Sequence, residues 1–153
     1  MGETKCGFDD QAGGMSGSDS LIFFGPTLMV SVGFDPDFKP VPGAIPKAAV
    51  TDMHALVDTG ATTSCIDSGL AMQLGLPVVD RQTISGVHGP KEVNVHLAQI
   101  HVPSLNTTIY GRFAAVDLVA GGQQHHVLIG RTFLSDFTMV YEGATGTVTI
   151  RSA

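Results

Sequence analysis

Apolar residues in this chain fall in short runs divided by turn-forming residues, a pattern of brief strands rather than long helices. Leu21-Ile22-Phe23-Phe24 is a first apolar run, and after Gly25-Pro26 a strand is expected over Leu28 to Val32. The stretch Asp35 to Pro46 carries Pro36, Pro40, Pro42 and Pro46 and must be a loop, because proline cannot donate to a ladder. Ala48 to Val57 is the next strand, followed by a short one over Thr63 to Ile66. Asp67-Ser68 caps a short helix over Gly69 to Leu74, stopped by Gly75 and Pro77, with Leu70, Leu74 and Met72 facing the core.

Ile84 to Val93 predicts two extended arms around a glycine-bearing turn, the second arm continuing through Val95, Leu97, Ile100 and Val102. Strands are expected over Thr107 to Tyr110, Phe113 to Val119 and His126 to Ile129, then a short helix over Phe133 to Phe137. Met139 to Tyr141 and Thr147 to Ile150 form a closing hairpin. Eight or nine strands and two short helices describe an all-β domain closed, or nearly closed, into a barrel. Residues 1–19, with Gly2, Gly7, Gly13, Gly14 and Gly17 among Ser and Asp, predict a flexible arm ahead of a domain over 20–153.

Length and charge narrow the function. The 153 residues suit one domain, and a net charge of −6 leaves no cluster of Lys and Arg to neutralise phosphates, which argues against nucleic acid as a partner. No apolar run is long enough to span a bilayer. Cys6 and Cys65 are the only cysteines, and no secretory signal is visible, so a reducing, cytoplasmic setting is the expectation.

The candidate chemistry lies in His54-Ala55-Leu56-Val57-Asp58-Thr59-Gly60-Ala61-Thr62-Thr63, where a strand of mostly apolar residues runs into one carboxylate and then into small residues. A carboxylate at such a place needs partners, and the turn offers the Thr59 hydroxyl and backbone N–H groups. Gly60 allows a close backbone approach or a positive φ. Taken alone, these residues also fit an ordinary Asx turn.

Asp58-Thr59-Gly60-Ala61 resembles the catalytic turn of the retropepsin-like aspartic proteases, and Val127-Leu128-Ile129-Gly130-Arg131-Thr132-Phe133-Leu134 resembles that family's second hallmark. The order of the two motifs, with a hairpin-like segment between them, covers roughly residues 50–150. The resemblance implies a closed, barrel-like acid-protease fold and an aspartic endopeptidase with Asp58 as the catalytic carboxylate. It implies support of the catalytic loop by Thr59, Gly60 and Ala61, and close packing beneath it at Gly130 beside Arg131. It also implies a flap over Gly86, Val87, His88 and Gly89 that touches substrate. Viral members pair the arginine with an acid just past the catalytic turn. Here Thr62 and Thr63 stand in that place, so Arg131 must meet another acid, backbone carbonyls or solvent. Thr132 also departs from the usual Asp or Asn, and the departures point to a bacterial or cellular type.

Metal-free peptide hydrolysis needs one group to activate water and another to protonate the departing atoms. Only one Asp-Thr-Gly occurs, so the second carboxyl must come from a second copy across a two-fold axis. The implied partners are that copy and an extended peptide, with no cofactor. A metal site is not expected. His125 and His126 are adjacent, His96 and His101 lie an odd number apart, and no zinc spacing with cysteine exists. Cys65 has no placed base and is expected to be a buried thiol. Two alternatives stand beside the enzyme. One is a dimeric peptide-binding or scaffold module of the same fold with weak or no hydrolysis; the other is a monomeric barrel in which Asp58 only closes a turn.

Overall fold

The computed structural model of the protein describes residues 2–86 and 88–152. Along them run ten strands, three short α-helices and one 3-10 turn. β2 (Thr27–Gly33) puts Leu28, Val30 and Val32 inward and Met29 outward, the alternation of a strand with one buried face. It pairs antiparallel with β3 (Val50–Val57), which pairs parallel with β8 (Val127–Ile129) in the register Val57↔Ile129. β8 runs antiparallel to β4 (Cys65–Asp67), and β4 runs parallel to β7 (Thr107–Val116).

Next to β7 lies β6 (Gly89–Val102), which forms a long hairpin with β5 (Val78–Gly86). The far end of β2 also pairs with β6, with Val32 opposite Ile100. That last pairing closes β2, β3, β8, β4, β7 and β6 into a ring and leaves β5 outside it. The all-β, barrel-like expectation holds. β4 and β8 are only three residues long, but neighbours on both edges satisfy their backbones, so Ile66, Val127 and Ile129 can be fully buried. Each such side chain contributes about 1.5–3 kcal/mol by leaving water.

The structure corrects the expectation of a flexible arm over residues 1–19. β1 (Glu3–Lys5) lies antiparallel on β10 (Thr147–Ser152), which pairs with β9 (Phe137–Glu142) to complete a second, three-stranded sheet. Cys6 is buried in the core, its N–H donating to the Val148 carbonyl at 2.9 Å while its own carbonyl accepts from Thr27 N–H at 2.8 Å. The glycines that suggested mobility serve close packing instead. A Cβ at Gly7 would sit 2.2 Å from the Gly146 carbonyl oxygen, and one at Gly17 would sit 2.4 Å from that of Phe8.

Other departures are local. Leu21 to Phe24 belongs to helix α1 (Gly17–Phe24), whose start is capped by the Ser16 hydroxyl accepting from Asp19 N–H at 3.0 Å. The two strands expected over 107–119 are one, because Gly111 passes through it at φ +120 without ending it. Met72, expected in the core, is 75% exposed, and Ala71 takes the inward place on α2 (Ser68–Gln73). The last helix, α3 (Arg131–Leu134), starts two residues earlier than expected, and Phe137 already opens β9.

His125 is buried just ahead of β8, with Nε2 2.8 Å from Thr27 Oγ1 at the start of β2 and Nδ1 3.2 Å from Gln123 Oε1. Burial holds its pKa below the ordinary histidine value, helped by the nearby His54 and His126. The folded state therefore favours the neutral ring. That stability is present above pH 6.5, the unfolded histidine value, and is lost as pH falls through the lower folded one.

Urea denaturation at successive pH values should show stability falling on the acid side of 6.5, with a shallower fall for His125→Gln. Deleting residues 2–6 should leave Val148 and Ile150 uncovered and cost at least as much as truncating a core isoleucine, about 2–5 kcal/mol, in the same assay.

Candidate active site

β3 enters the core with Ala55 and Val57 buried and emerges at Asp58, which is half-buried. The main chain there is held at both ends. Asp58 N–H donates to the Ile129 carbonyl at 2.9 Å, and Ala61 N–H donates back to the Asp58 carbonyl at 3.2 Å. Oδ1 accepts from Gly60 N–H at 2.8 Å. That bond is what an Asx turn makes, so it does not separate the two readings of Asp58. It does explain Gly60. A Cβ there would lie 3.1 Å from Asp58 Oδ1, so the glycine serves close approach, and its φ is not positive.

What separates this turn from an ordinary one is its union with the second motif. Gly130 faces the backbone of the Asp58 loop directly: a Cβ on it would be 2.6 Å from the Thr63 carbonyl carbon and oxygen and 3.0 Å from the Ala61 oxygen. Its N–H donates to the Ser64 hydroxyl at 3.1 Å. The next two amides continue the contact, Arg131 N–H donating to the Ala61 carbonyl at 2.9 Å and Thr132 N–H to the Thr62 carbonyl at 3.0 Å. The Arg131 guanidinium then reaches over the loop, Nη1 donating to the Thr59 carbonyl at 2.7 Å and Nη2 to Thr62 Oγ1 at 3.2 Å.

Arg131 thus has backbone and hydroxyl partners where viral members supply an acid, and Thr62 accepts as a neutral substitute. The Thr59 hydroxyl is exposed and bonds to nothing among the described residues. Ser64 was missed from sequence, because nothing in Thr62-Thr63-Ser64 marks one hydroxyl out from its neighbours. Cys65 lies beneath the turn, and burial, with the Asp58 charge adding to it, pushes its thiol up to about 11. Such a thiol carries almost no thiolate and does not serve as a nucleophile.

The hairpin tip sits where the spacing placed it. Gly86 pairs with Gly89, Gly89 takes φ +98, and His88 is exposed in the turn between them; Val87, the remaining expected contact, lies outside the described residues. Under the tip is a cavity of about 450 Å³, walled by Gly86, His88 and Gly89 on the hairpin and by Val116 and Asp117 on the barrel. Asp58 does not line it. Within one chain the structure therefore joins Asp58, Thr59, Gly60, Ala61, Gly130 and Arg131 into one unit and keeps the hairpin tip apart from it.

A second carboxylate was read from sequence only as a helix cap. Asp67 is buried, and besides capping α2 through Leu70 N–H (3.1 Å) its Oδ1 accepts from Leu118 and Val119 N–H, each at 3.0 Å. It fixes the loop that carries Asp117.

The family model described as "gag-polyprotein putative aspartyl protease" matches residues 48–136, more than half of the chain. The chain belongs to this family. The matched stretch takes in β3, the Asp58 turn, the hairpin, β8 and α3, so both halves of the interlocked loop lie inside it. Among solved structures the chain is similar to the EIAV protease complexed with the inhibitor HBY-793, at 22% identity over 72% of this chain and 86% of that one, with a TM-score of 0.46. It is also similar to the solution structure of the simian foamy virus (mac) protease, at 15% identity over 71% and 91% of the two chains, with a TM-score of 0.45. No curated protein matches the chain. No helix of the described residues is long and apolar enough to cross a membrane.

Gly130→Ala should force the Thr63 backbone away from β8, costing about 1–3 kcal/mol in urea denaturation. Because the same shift moves the Asp58 turn, any activity that depends on Asp58 should fall further than the loss of folded protein explains.

Proposed function

We propose that the protein is an aspartic endopeptidase that works as a two-fold symmetric homodimer, each copy giving Asp58 to a shared catalytic pair. The observation that carries this is the interlock of the Asp58 turn with Gly130-Arg131. Two motifs some 70 residues apart meet through three backbone bonds and a guanidinium, and the result holds one carboxylate in place at the surface. Such rigidity is what a catalytic constellation needs, and it exceeds what a simple turn needs. Asp58 Oδ2 and the Thr59 hydroxyl remain available to a facing copy.

The pairing follows from electrostatics. Two carboxylates about 4 Å apart repel by about 4 kcal/mol at an effective dielectric near 20, so the pair favours holding one proton by roughly a thousandfold. Other aspartic proteases rest on the same shared proton. The ionised member takes a proton from water as the water oxygen attacks the scissile carbonyl carbon, and the protonated member gives its proton to the carbonyl oxygen. Collapse of the tetrahedral intermediate breaks the C–N bond as the nitrogen receives a proton from the carboxyl that first took one. The other carboxylate meanwhile takes a proton back from one of the two hydroxyls, which releases the acid and restores the singly protonated pair. Thr59 and Gly60 sit at the edge of the pair, and the β5–β6 hairpin closes over the extended peptide.

Asp58→Asn should lower peptide hydrolysis by about a thousandfold or more while the protein stays dimeric by size in solution. After subunit exchange, an equimolar mixture of native and Asp58→Asn chains should retain about a quarter of the activity of the same total amount of native protein, since only native homodimers hold two carboxylates. Retention of about a half would mean that each subunit acts alone. A dimer that binds peptides and never cleaves them would favour the binding module.

A further inference from the structure

The hairpin that walls the 450 Å³ cavity is an overhang. From Gly89 to Asn94, β6 pairs only with β5; its partner on the barrel side, β7, joins at Val95↔Ala114. Near its tip the overhang returns to the barrel through one ion pair, Lys91 Nζ donating to Asp117 Oδ2. The other oxygen, Oδ1, accepts from the Ser68 hydroxyl at 2.5 Å. The loop beneath is held from the other side by the buried Asp67 carboxylate through Leu118 and Val119. The rest of the cavity is chiefly apolar, with Ile84, Pro90 and Val93 from the hairpin and Val116 from the barrel.

We propose that Lys91 and Asp117 form the selectivity wall of this cavity, and that by neutralising each other they suit it to an uncharged aliphatic side chain of an extended peptide. This rests on the peptide-cleaving reading of the Asp58 site and names what its neighbouring cavity accepts. Each oxygen of Asp117 accepts a hydrogen bond within the chain, one of them from the Lys91 ammonium, so the two charges offset each other on the wall. An incoming charged side chain would have to separate them or enter unpaired among the apolar residues, whereas a leucine or valine displaces only water. His88 also lines the cavity, so selectivity is read at one fixed pH, about 7.5, for every variant. Lys91 and the Ser68 hydroxyl hold the Asp117 carboxyl below its usual range, so the wall keeps its charges in mildly acidic solution as well.

The pair also makes a signed prediction. Lys91→Met leaves an uncompensated carboxylate on the wall and should turn the cavity toward Lys and Arg. Asp117→Asn leaves a free ammonium and should turn it toward Asp and Glu. Because the pair is largely exposed, each preference should move by roughly fivefold rather than by orders of magnitude.

The test is fluorescence anisotropy on the full chain carrying Asp58→Asn, which binds without cutting, with extended peptides in which Leu, Lys or Glu is placed at one position at a time. Expected are a leucine preference with the native pair, opposite shifts for the two single variants at the same peptide position, and return of the leucine preference in the charge-swapped Lys91→Asp/Asp117→Lys protein. A pair that merely props up the hairpin would weaken all three peptides alike, and that result overturns the proposal, as does an absence of peptide binding. Hydrolysis by the Asp58-intact protein is scored separately. Selectivity that switches without any cleavage would overturn the peptidase reading and leave the wall in place, while cleavage without a switch would overturn only the wall.

Discussion

The absence of a side chain at Gly130 is the constraint on which the candidate site depends. Because no Cβ intervenes, the segment 130–132 can lie directly against the backbone of 61–63, and successive amides donate into the turn that follows Asp58. A loop of small residues such as Asp-Thr-Gly-Ala-Thr-Thr has little bulk with which to hold its own shape. Here its shape comes from a second segment that is itself tied to the barrel by β8 before it and α3 after it. Arg131 completes the joint by bonding both a carbonyl and a hydroxyl of the loop, so a neutral threonine suffices where the resemblance led one to look for an acid.

Barrel closure serves the same end. β3 and β8 run parallel, so their last residues, Val57 and Ile129, lie side by side at one end of the ring and deliver Asp58 and Gly130 to the same place. The antiparallel β2–β6 pairing closes the ring behind them, and the N-terminal strand seals the second sheet with Cys6 as its buried contact. The hairpin is built differently. Its outer half has strand pairing on one side only and few buried side chains, which is the end of the stability range from which lids are drawn. The Asp58 turn is held by a second segment while the outer half of the hairpin is paired on one side only, and the difference lies in how many neighbours the chain gives each strand.

Fold family membership and the proposed chemistry stand on different ground. The match over residues 48–136 establishes the family. The proposed pairing of carboxylates across two copies rests on there being one Asp-Thr-Gly and on the charge repulsion that would make a shared proton favourable. The cavity beneath the hairpin has a charged wall made by Lys91 and Asp117, residues that belong to neither motif.

Much was legible from the residues alone: the strand leading to Asp58, the helix capped by Asp67, the glycine-tipped hairpin and the closing strands, because alternation, capping and turn residues act over a few positions and leave a local signature. The ordered N-terminus was not. Glycine in a tail is the same letter whether it confers freedom or lets two backbones touch, and only the position of Gly146 beside Gly17 decides between them. The partner of Arg131, the acceptor role of Ser64 and the second duty of Asp67 were likewise invisible, since each depends on a contact about 50 to 70 residues away in the chain. The sequence by itself determined which residues could supply a carboxylate, a turn and a strand. The tertiary structure decided which of them meet, because hydrogen bonds and close packing depend on distance in space, and distance along the chain does not record it.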